Sequence, residues 1–537
     1  MLRGGWGLAL ILVVAVVSSG CQPAGNSGGS SASRSPAEPA SGTSSPRPAP
    51  PTVEVGLAEV GDSQWPMWGG TPTRNLVNGQ ASNLPVEWDV ESGAHVKWTA
   101  ALGTVAYGNP VVAGGKVFVG TNNGQPRDPE IEGDRGVLMA FDAETGEFLW
   151  QDVYDKLPEG RTVDYPEQGI CSSPAVDDDR VYYVTNRGQI VCADTEGFRD
   201  GENDGPLVNE PRSESTDADI VWRFDMIAEL GVQPHHMSSS HPLVVGGRIF
   251  ASTSNGVGED GGELARPAAP SFVALDAQTG ELLWAEGAAT GDEYQVRMGT
   301  IHDGQWGSPA YGVVPDGDGG SQEQIYFPAG DGWLYTFALD SPTLLWKFNC
   351  NPEGAEWSPR GVGDLNQLIA TPVFDRSRVF IATGLDPELG SGPGRLVCID
   401  ATGSGDVTST HRSWSVGGEA FGRSISTVAV YEDLVFAAEL DGFLHCFDAN
   451  AGRAFWEHDT LAQLWGSPLV ADGLVYLADE DGDVNVLRAA SELEVLAENM
   501  SDSGAYGTPV AVGQTLYYAT RDTLYAIEMD ATNDASP

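Results

Sequence analysis

Basic residues are scarce in this chain, which sets 28 Lys and Arg against 76 Asp and Glu for a formal charge of -48. A surface of that sign repels phosphate backbones and anionic headgroups, so it excludes nucleic acid as a partner and leaves only an anchor as a route to a membrane. Long apolar runs are scarce too. The run from Leu8 to Val17, behind Arg3, has the length of a secretory h-region and not of a membrane span. There is no phosphate-binding loop and no His-Glu-x-x-His motif, and the folded body has no Gly-x-Ser-x-Gly elbow. His235-His236, His241 and His302 lack the paired spacing with cysteine or carboxylate that marks zinc, and read as polar loop residues. The acidic turns give no better metal site. Asp200-Gly-Glu-Asn-Asp204-Gly205 alternates oxygen ligands, but Pro211 stands where a calcium loop needs its bidentate Glu, and Asp316–Gly320 and Asp479–Asp483 read as hairpin turns.

The N-terminus is an address. Ser18-Ser19-Gly20-Cys21 follows the apolar run and resembles the lipobox of bacterial lipoproteins, with Ser18 where that family usually has Leu; the resemblance implies lipidation at Cys21. From Gln22 to Thr52 the residues are almost all Pro, Ala, Gly and Ser, a composition that cannot bury enough surface to fold. The expected organisation is a signal over 1–21, a tether over 22–64, a folded body over 65–530 and a short tail over 531–537.

That body is repetitive. Phe272–Trp284 reads FVALDAQTGELLW and Leu138–Trp150 reads LMAFDAETGEFLW, two apolar alternations about a tight turn, as in a β-hairpin. A second phrase, a small residue, a polar one, Pro and an apolar strand, opens at Gly108, Ser172, Ser240, Gly307, Ala370, Gly466 and Gly507, and Ser424–Val430 supplies the strand without proline. Eight units of four short antiparallel strands make an all-β, eight-bladed β-propeller. Outer strands carry Trp150, Trp222, Trp284, Trp346, Trp414 and Trp456, with Leu496 in the seventh unit. The eighth unit lacks its outer strand, and His95-Val-Lys-Trp98 stands alone before the first. Trp98 is therefore expected to complete the last blade, which removes an exposed sheet edge.

The phrase Ala-x-Asp-x-x-Thr-Gly-x-x-x-Trp, complete at Ala140–Trp150 and Ala274–Trp284, resembles the tryptophan-docking repeat of the PQQ-like eight-bladed propellers, a family that includes BamB-like lipoproteins and quinoprotein dehydrogenases. The resemblance covers about residues 94 to 528 and implies that the repeat tryptophans pack between blades. Cys192, Cys398 and Cys446 fall at the repeat's Ala position and read as small core residues, while a bridge between Cys171 and Cys350 is left open. No vicinal Cys-Cys pair occurs, unlike in the alcohol-oxidising branch, and no metal ligand set or catalytic carboxylate of that branch can be carried over.

Insertions concentrate on one face of the ring, in the turns Asn122–Gly136, Asn255–Ser271 and Gly384–Arg395 and in the links Gln151–Ile170, Ala285–Trp306 and Lys347–Ile369. The opposite face has short turns apart from Thr195–Ile220. Tyr107, Trp306, Trp465 and Tyr506 each precede the Gly that opens an innermost strand, with Phe421 set in the matching place of unit six, so aromatic groups are expected around one mouth of the channel. Asn122, Asn123, Asn186, Arg187, Asn255 and Asp331 come from turns on the same side; they also suit tight turns, as the aromatics suit a core. The leading expectation is a non-enzymatic, monomeric, membrane-tethered propeller of the cell envelope, periplasmic or on the outer membrane, that binds a protein or small-ligand partner on its decorated face, with no cofactor and no metal. Two alternatives stand beside it: a PQQ-dependent dehydrogenase holding PQQ with Ca²⁺, and a polysaccharide-binding or carbohydrate-active propeller.

Overall fold

Short apolar alternations separated by Gly, Asn and Asp turns pair with their neighbours in sequence, because a hairpin closes the least chain per ladder formed. The computed structural model describes residues 63–258, 264–286, 303–356 and 363–529. The chain divides into two units, Met1–Thr43, which lies outside the described residues along with Cys21, and Ser44–Pro537, to which everything below belongs.

Eight four-stranded antiparallel blades result; seven run in chain order from the channel outwards, the eighth takes its outermost strand from ahead of the first blade, and two blades carry a short fifth strand in parallel pairing. The first runs Val111–Ala113, Lys116–Asn122, Arg135–Asp142 and Phe148–Asp155. Apolar side chains on both faces of the sheets interleave between blades, so the core is a ring of inter-sheet layers. The five-residue Met226–Leu230 is the one α-helix among the described residues.

The recurring turn is explained by what sits on it. Asp142 Oδ1 accepts from the backbone of Glu144 and Thr145 and from the Thr145 hydroxyl, which forces Gly146 to φ 72°. The Trp98 indole lies over that glycine, where a Cβ would come within 2.6 Å of the ring, and its Nε1 donates to Ala143 O at 3.1 Å. Trp222 repeats the arrangement on Gly280 and Ala277 O, and Trp414 on Gly452 and Ala449 O. Each of these three tryptophans thus docks on the next blade's turn, whereas Trp346 Nε1 donates to Gln324 Oε1 of its own blade. Trp284 packs against Phe250, Phe327 and Phe337 instead, and its buried Nε1 has no partner among the described residues.

The ring closes as its sequence implies. Val96–Ala101 pairs antiparallel with Thr523–Glu528, with Trp98 opposite Ala526. Cys192, Cys398 and Cys446 stand opposite Trp222, Trp414 and Trp456, as Ala140 stands opposite Trp150. All five described cysteines are buried and free, so Cys171 and Cys350 are not bridged. In the seventh blade the tryptophan place opposite Val486 belongs to Ala497, not Leu496, because the preceding turn is one residue longer and puts Leu496 in the bulge.

One feature has no counterpart in the repeat. Residues 65–78 run around the inside of the channel and meet the innermost strand of every blade in turn. Trp65 bridges Val112, Pro66 O accepts from Val176 N, and Arg74 Nη2 donates to Pro242 O. Pro72 O and Thr73 O accept from Tyr311 N and Phe374 N, and Asn75 Oδ1 from Val430 N. Val77–Asn78 then pairs parallel with Leu469–Ala471, and Asn78 Nδ2 reaches Ala511 O at 2.7 Å. This belt satisfies inward backbone groups that a hollow channel would leave to water, and it closes the channel at the short-turn side.

Candidate functional site: the mouth of the channel

The other end of the channel is open, and the small-polar-Pro phrase builds its wall. Alternate residues of an extended strand face the same side, so the residue two before each Pro is packed between blades while those on either side of it point inwards. The packed position must be small: a Cβ on Gly307 would come within 2.6 Å of Leu368 O, and one on Gly466 within 2.8 Å of Gly507 O.

The inner of the two inward rings holds the blades together. Asn109 N donates to Ser173 Oγ, Ser173 N to His241 Nδ1, and His241 N to Ser308 Oγ. Thr371 N, Thr427 N and Ser467 N donate to Thr427, Ser467 and Thr508 side-chain oxygens, and Thr508 N returns to Asn109 Oδ1 at 2.6 Å. Thr371 Oγ1 accepts from Trp68 Nε1 at 3.1 Å, which fixes the belt's indole as the floor. Burial, then Arg74, pushes His241 down to about 3, so it is neutral and its Nδ1 is the acceptor the ring requires.

The outer ring lines a cavity of about 270 Å³, near the lower end of small-molecule sites. Its members are Tyr107, Cys171, Ser239 and Trp306 from the first four blades and Ile369, Ile425, Trp465 and Tyr506 from the last four. Tyr107 stacks on Tyr506 at 4.9 Å, and Trp465 meets Tyr506 edge-on at 5.2 Å, which makes one aromatic wall. Phe421 is not part of it. It ends the long outer strand Arg412–Gly422, is fully buried against His445 and Phe447, and leaves the sixth place to Ile425.

The amides and charged groups expected nearby lie elsewhere. Asn122 Oδ1 accepts from Thr104 N, Asn123 Nδ2 donates to Ile131 O, and Asn255 Nδ2 to Arg266 O, each buried in the turn it closes. Asn186 Nδ2 donates to Asp164, Arg187 to Asp155 O, and Asp331 accepts from Trp333 N and Tyr335 Oη.

In their place the wall opposite Tyr107 and Tyr506 carries a polar corner that periodicity did not reveal. His236 Nδ1 lies 3.8 Å from Asp386 Oδ2, and its ring stacks on His235 at 4.0 Å and on Trp306 at 6.5 Å. Tyr165 Oη donates to Glu388 Oε1 at 2.8 Å, and the exposed Arg161 reaches the same carboxylate at 3.1 Å. Asp386 caps the turn Pro387–Leu389 by accepting from Glu388 N. Beside it Asp303 accepts from Gln367 Nε2 at 2.7 Å and is pushed up to about 6, first by burial and then by the Asp386 charge. Burial, then His236, lowers His235 to about 4.

PQQ, the cofactor that the resemblance implies for one branch, is a polycarboxylate quinone, and holding it with a cation calls for basic side chains and a ligand cluster. The described lining holds Asp386 and Glu388 but no Lys or Arg, and the described residues include no group of three or more His, Cys, Asp or Glu placed to hold a metal ion. The described residues do not fit it.

Similarities to known proteins agree with the architecture. No curated protein matches the chain. BamB from Moraxella catarrhalis is 13% identical over 81% of this chain and 99% of its own, with a TM-score of 0.50. A europium-containing methanol dehydrogenase is 13% identical over 88% of this chain and 99% of its own, with a TM-score of 0.59. At that identity the likeness establishes the fold alone. The family described as "Outer membrane protein assembly factor BamB" matches residues 29–165, 134–298 and 404–495, more than half of the chain, and the protein belongs to that family.

Proposed function

We propose that this protein is a non-catalytic binding propeller of the bacterial envelope, tethered through Cys21, that receives a segment of a partner protein or a small ligand in the aromatic mouth of its channel. The observation that carries the reading is convergence. Tyr107, Trp306, Trp465 and Tyr506, contributed by four different blades, line one blind cavity floored by Trp68, on the face that bears the long insertions. Aromatic surface gathered in a concavity is how rigid scaffolds bind without a reactive group. Membership in a family described as an outer membrane assembly factor supports the extracytoplasmic location. The proposal assigns no cofactor, because the described lining suits none of the quinone's carboxylates.

The test is a Trp465→Ala variant, at a half-buried wall residue, in pull-downs from envelope extracts of the native host. Capture of a partner should weaken while thermal stability stays within a degree or two. Adding PQQ with Ca²⁺ should give no stable chromophore and no dye-linked oxidation of alcohols or aldose sugars. Unchanged capture, or reconstituted turnover, would overturn the reading.

A further inference from the structure

We propose that the ligand of this mouth is an organic cation, an ammonium or guanidinium group carried on an apolar body. This rests on the binding-propeller reading and names what the same site takes. The cavity has two unlike walls. On one side Tyr107, Trp465 and Tyr506 present an aromatic surface to a flat or aliphatic group. On the other, Asp386 and Glu388 face in beside Trp306, and no Lys or Arg lines the cavity among the described residues. His241 is held neutral by burial and by Arg74 beneath it, and His236 stands 3.8 Å from Asp386, too far for a direct hydrogen bond.

The surroundings act in the same direction. Glu388 already has Arg161 and Tyr165 as partners, whereas Asp386 spends one oxygen on its own turn and turns the other towards His236. Asp303 lies close enough to Asp386 for that charge to add to burial in holding its proton to about pH 6, so two carboxyl groups compete for too little positive charge. A cation placed at this corner relieves that repulsion, and the aromatic rings that line the same cavity attract it further through their quadrupoles. An anionic ligand meets the reverse. The formal charge of -48 extends the preference beyond the cavity by raising the local concentration of cations.

The source of the cation, a free amine or a basic side chain of a partner protein, is separable by experiment. Calorimetric titration of the full-length protein would use phenethylamine against 2-phenylethanol, and the capped peptide Gly-Phe-Lys-Gly against the same peptide with norleucine for lysine. The cationic member of at least one pair should bind about tenfold tighter than its neutral isostere, the size expected of a partly desolvated charged hydrogen bond with a cation–π contact. The pair that shows the preference identifies the source. Asp386→Asn should cut the preference below about threefold while leaving the neutral probe unchanged, and Trp465→Ala should weaken both members together. Isosteres that bind as tightly as the cations, a preference that survives Asp386→Asn, or no binding by any probe would each overturn the inference. Such a failure accompanied by Trp465-dependent partner capture leaves the binding-propeller reading standing; loss of that dependence overturns the reading as well.

Discussion

The contact between Trp98 and Gly146 closes the ring, and it can be weighed with two substitutions and a control. Gly146→Ala places a methyl at φ 72° and within 2.6 Å of an indole held by its bond to Ala143 O and by the Tyr517 ring at 5.8 Å. The left-handed backbone costs about 1–2 kcal/mol, and overpacking against a fixed ring adds about 1–3 kcal/mol. Gly115 has φ 74° with nothing within 4 Å of its Cβ, so Gly115→Ala isolates the backbone part at about 1–2 kcal/mol. Trp98→Ala removes a side chain that is 8% exposed, at about 3–5 kcal/mol. In that background Gly146→Ala should fall to the Gly115→Ala value, a coupling of about 1–3 kcal/mol. Urea unfolding followed by far-UV circular dichroism measures all four. If Gly146→Ala costs no more than Gly115→Ala, or costs as much without Trp98 as with it, the account of blade docking is wrong.

Trp98, Cys192, Cys398 and Cys446 could be placed from sequence because each keeps the local phrase of its strand, even where the partner strand is distant in the chain, as Ala526 is from Trp98. A residue ten before the tryptophan lies opposite it whenever the turn has its usual length, as Ala140 does for Trp150. Leu496 fails for the same reason, since one added turn residue moves the place to Ala497. Phe421 fails because its unit lacks the proline that marks register, and a Gly422 on the outer strand imitates the opening glycine. The belt was illegible for a different cause. Asn78 bonds to Ala511 across 433 residues, and no periodicity within 65–78 encodes such a partner; the unusual density of Trp and Gly in Trp65–Gly70 is its sole local trace. The corner of His236, Asp386 and Glu388 is likewise assembled by loops from separate blades, where spacing along the chain carries no information.

Burial pushes the thiols of Cys171, Cys192, Cys350, Cys398 and Cys446 up to about 12, so native protein should resist alkylation and unfolded protein should take up label at all five without reductant, as intact mass would record. Arg74, fully buried, donates to the carbonyls of Trp68, Pro309, Pro242 and His241, and Arg74→Met should cost about 3–5 kcal/mol by leaving them without a donor; a loss under about 1 kcal/mol in urea unfolding would place the belt outside the folding unit. Cys21→Ser should move the protein from the membrane fraction to the soluble one on sedimentation. The last expectation concerns pH. The Asp303 carboxyl, at 3.8 when unperturbed, titrates at about 6 in the folded protein because burial, then Asp386, disfavours its charge. Its protonated form is therefore the one the fold prefers: the contribution is fully present below pH 3.8 and is lost as pH rises through 6, a change of roughly 3 kcal/mol. Asp303→Asn keeps the shape and the acceptor for Gln367 but never ionises. It should leave stability near pH 4 unchanged, raise it near pH 8, and flatten the fall between them, with Asp219 and Asp479, also raised to about 6, setting the slope that remains. Urea midpoints measured from pH 4 to pH 8 decide it: a variant that loses as much stability across that interval as the parent would show that Asp303 does not carry its proton into the folded state.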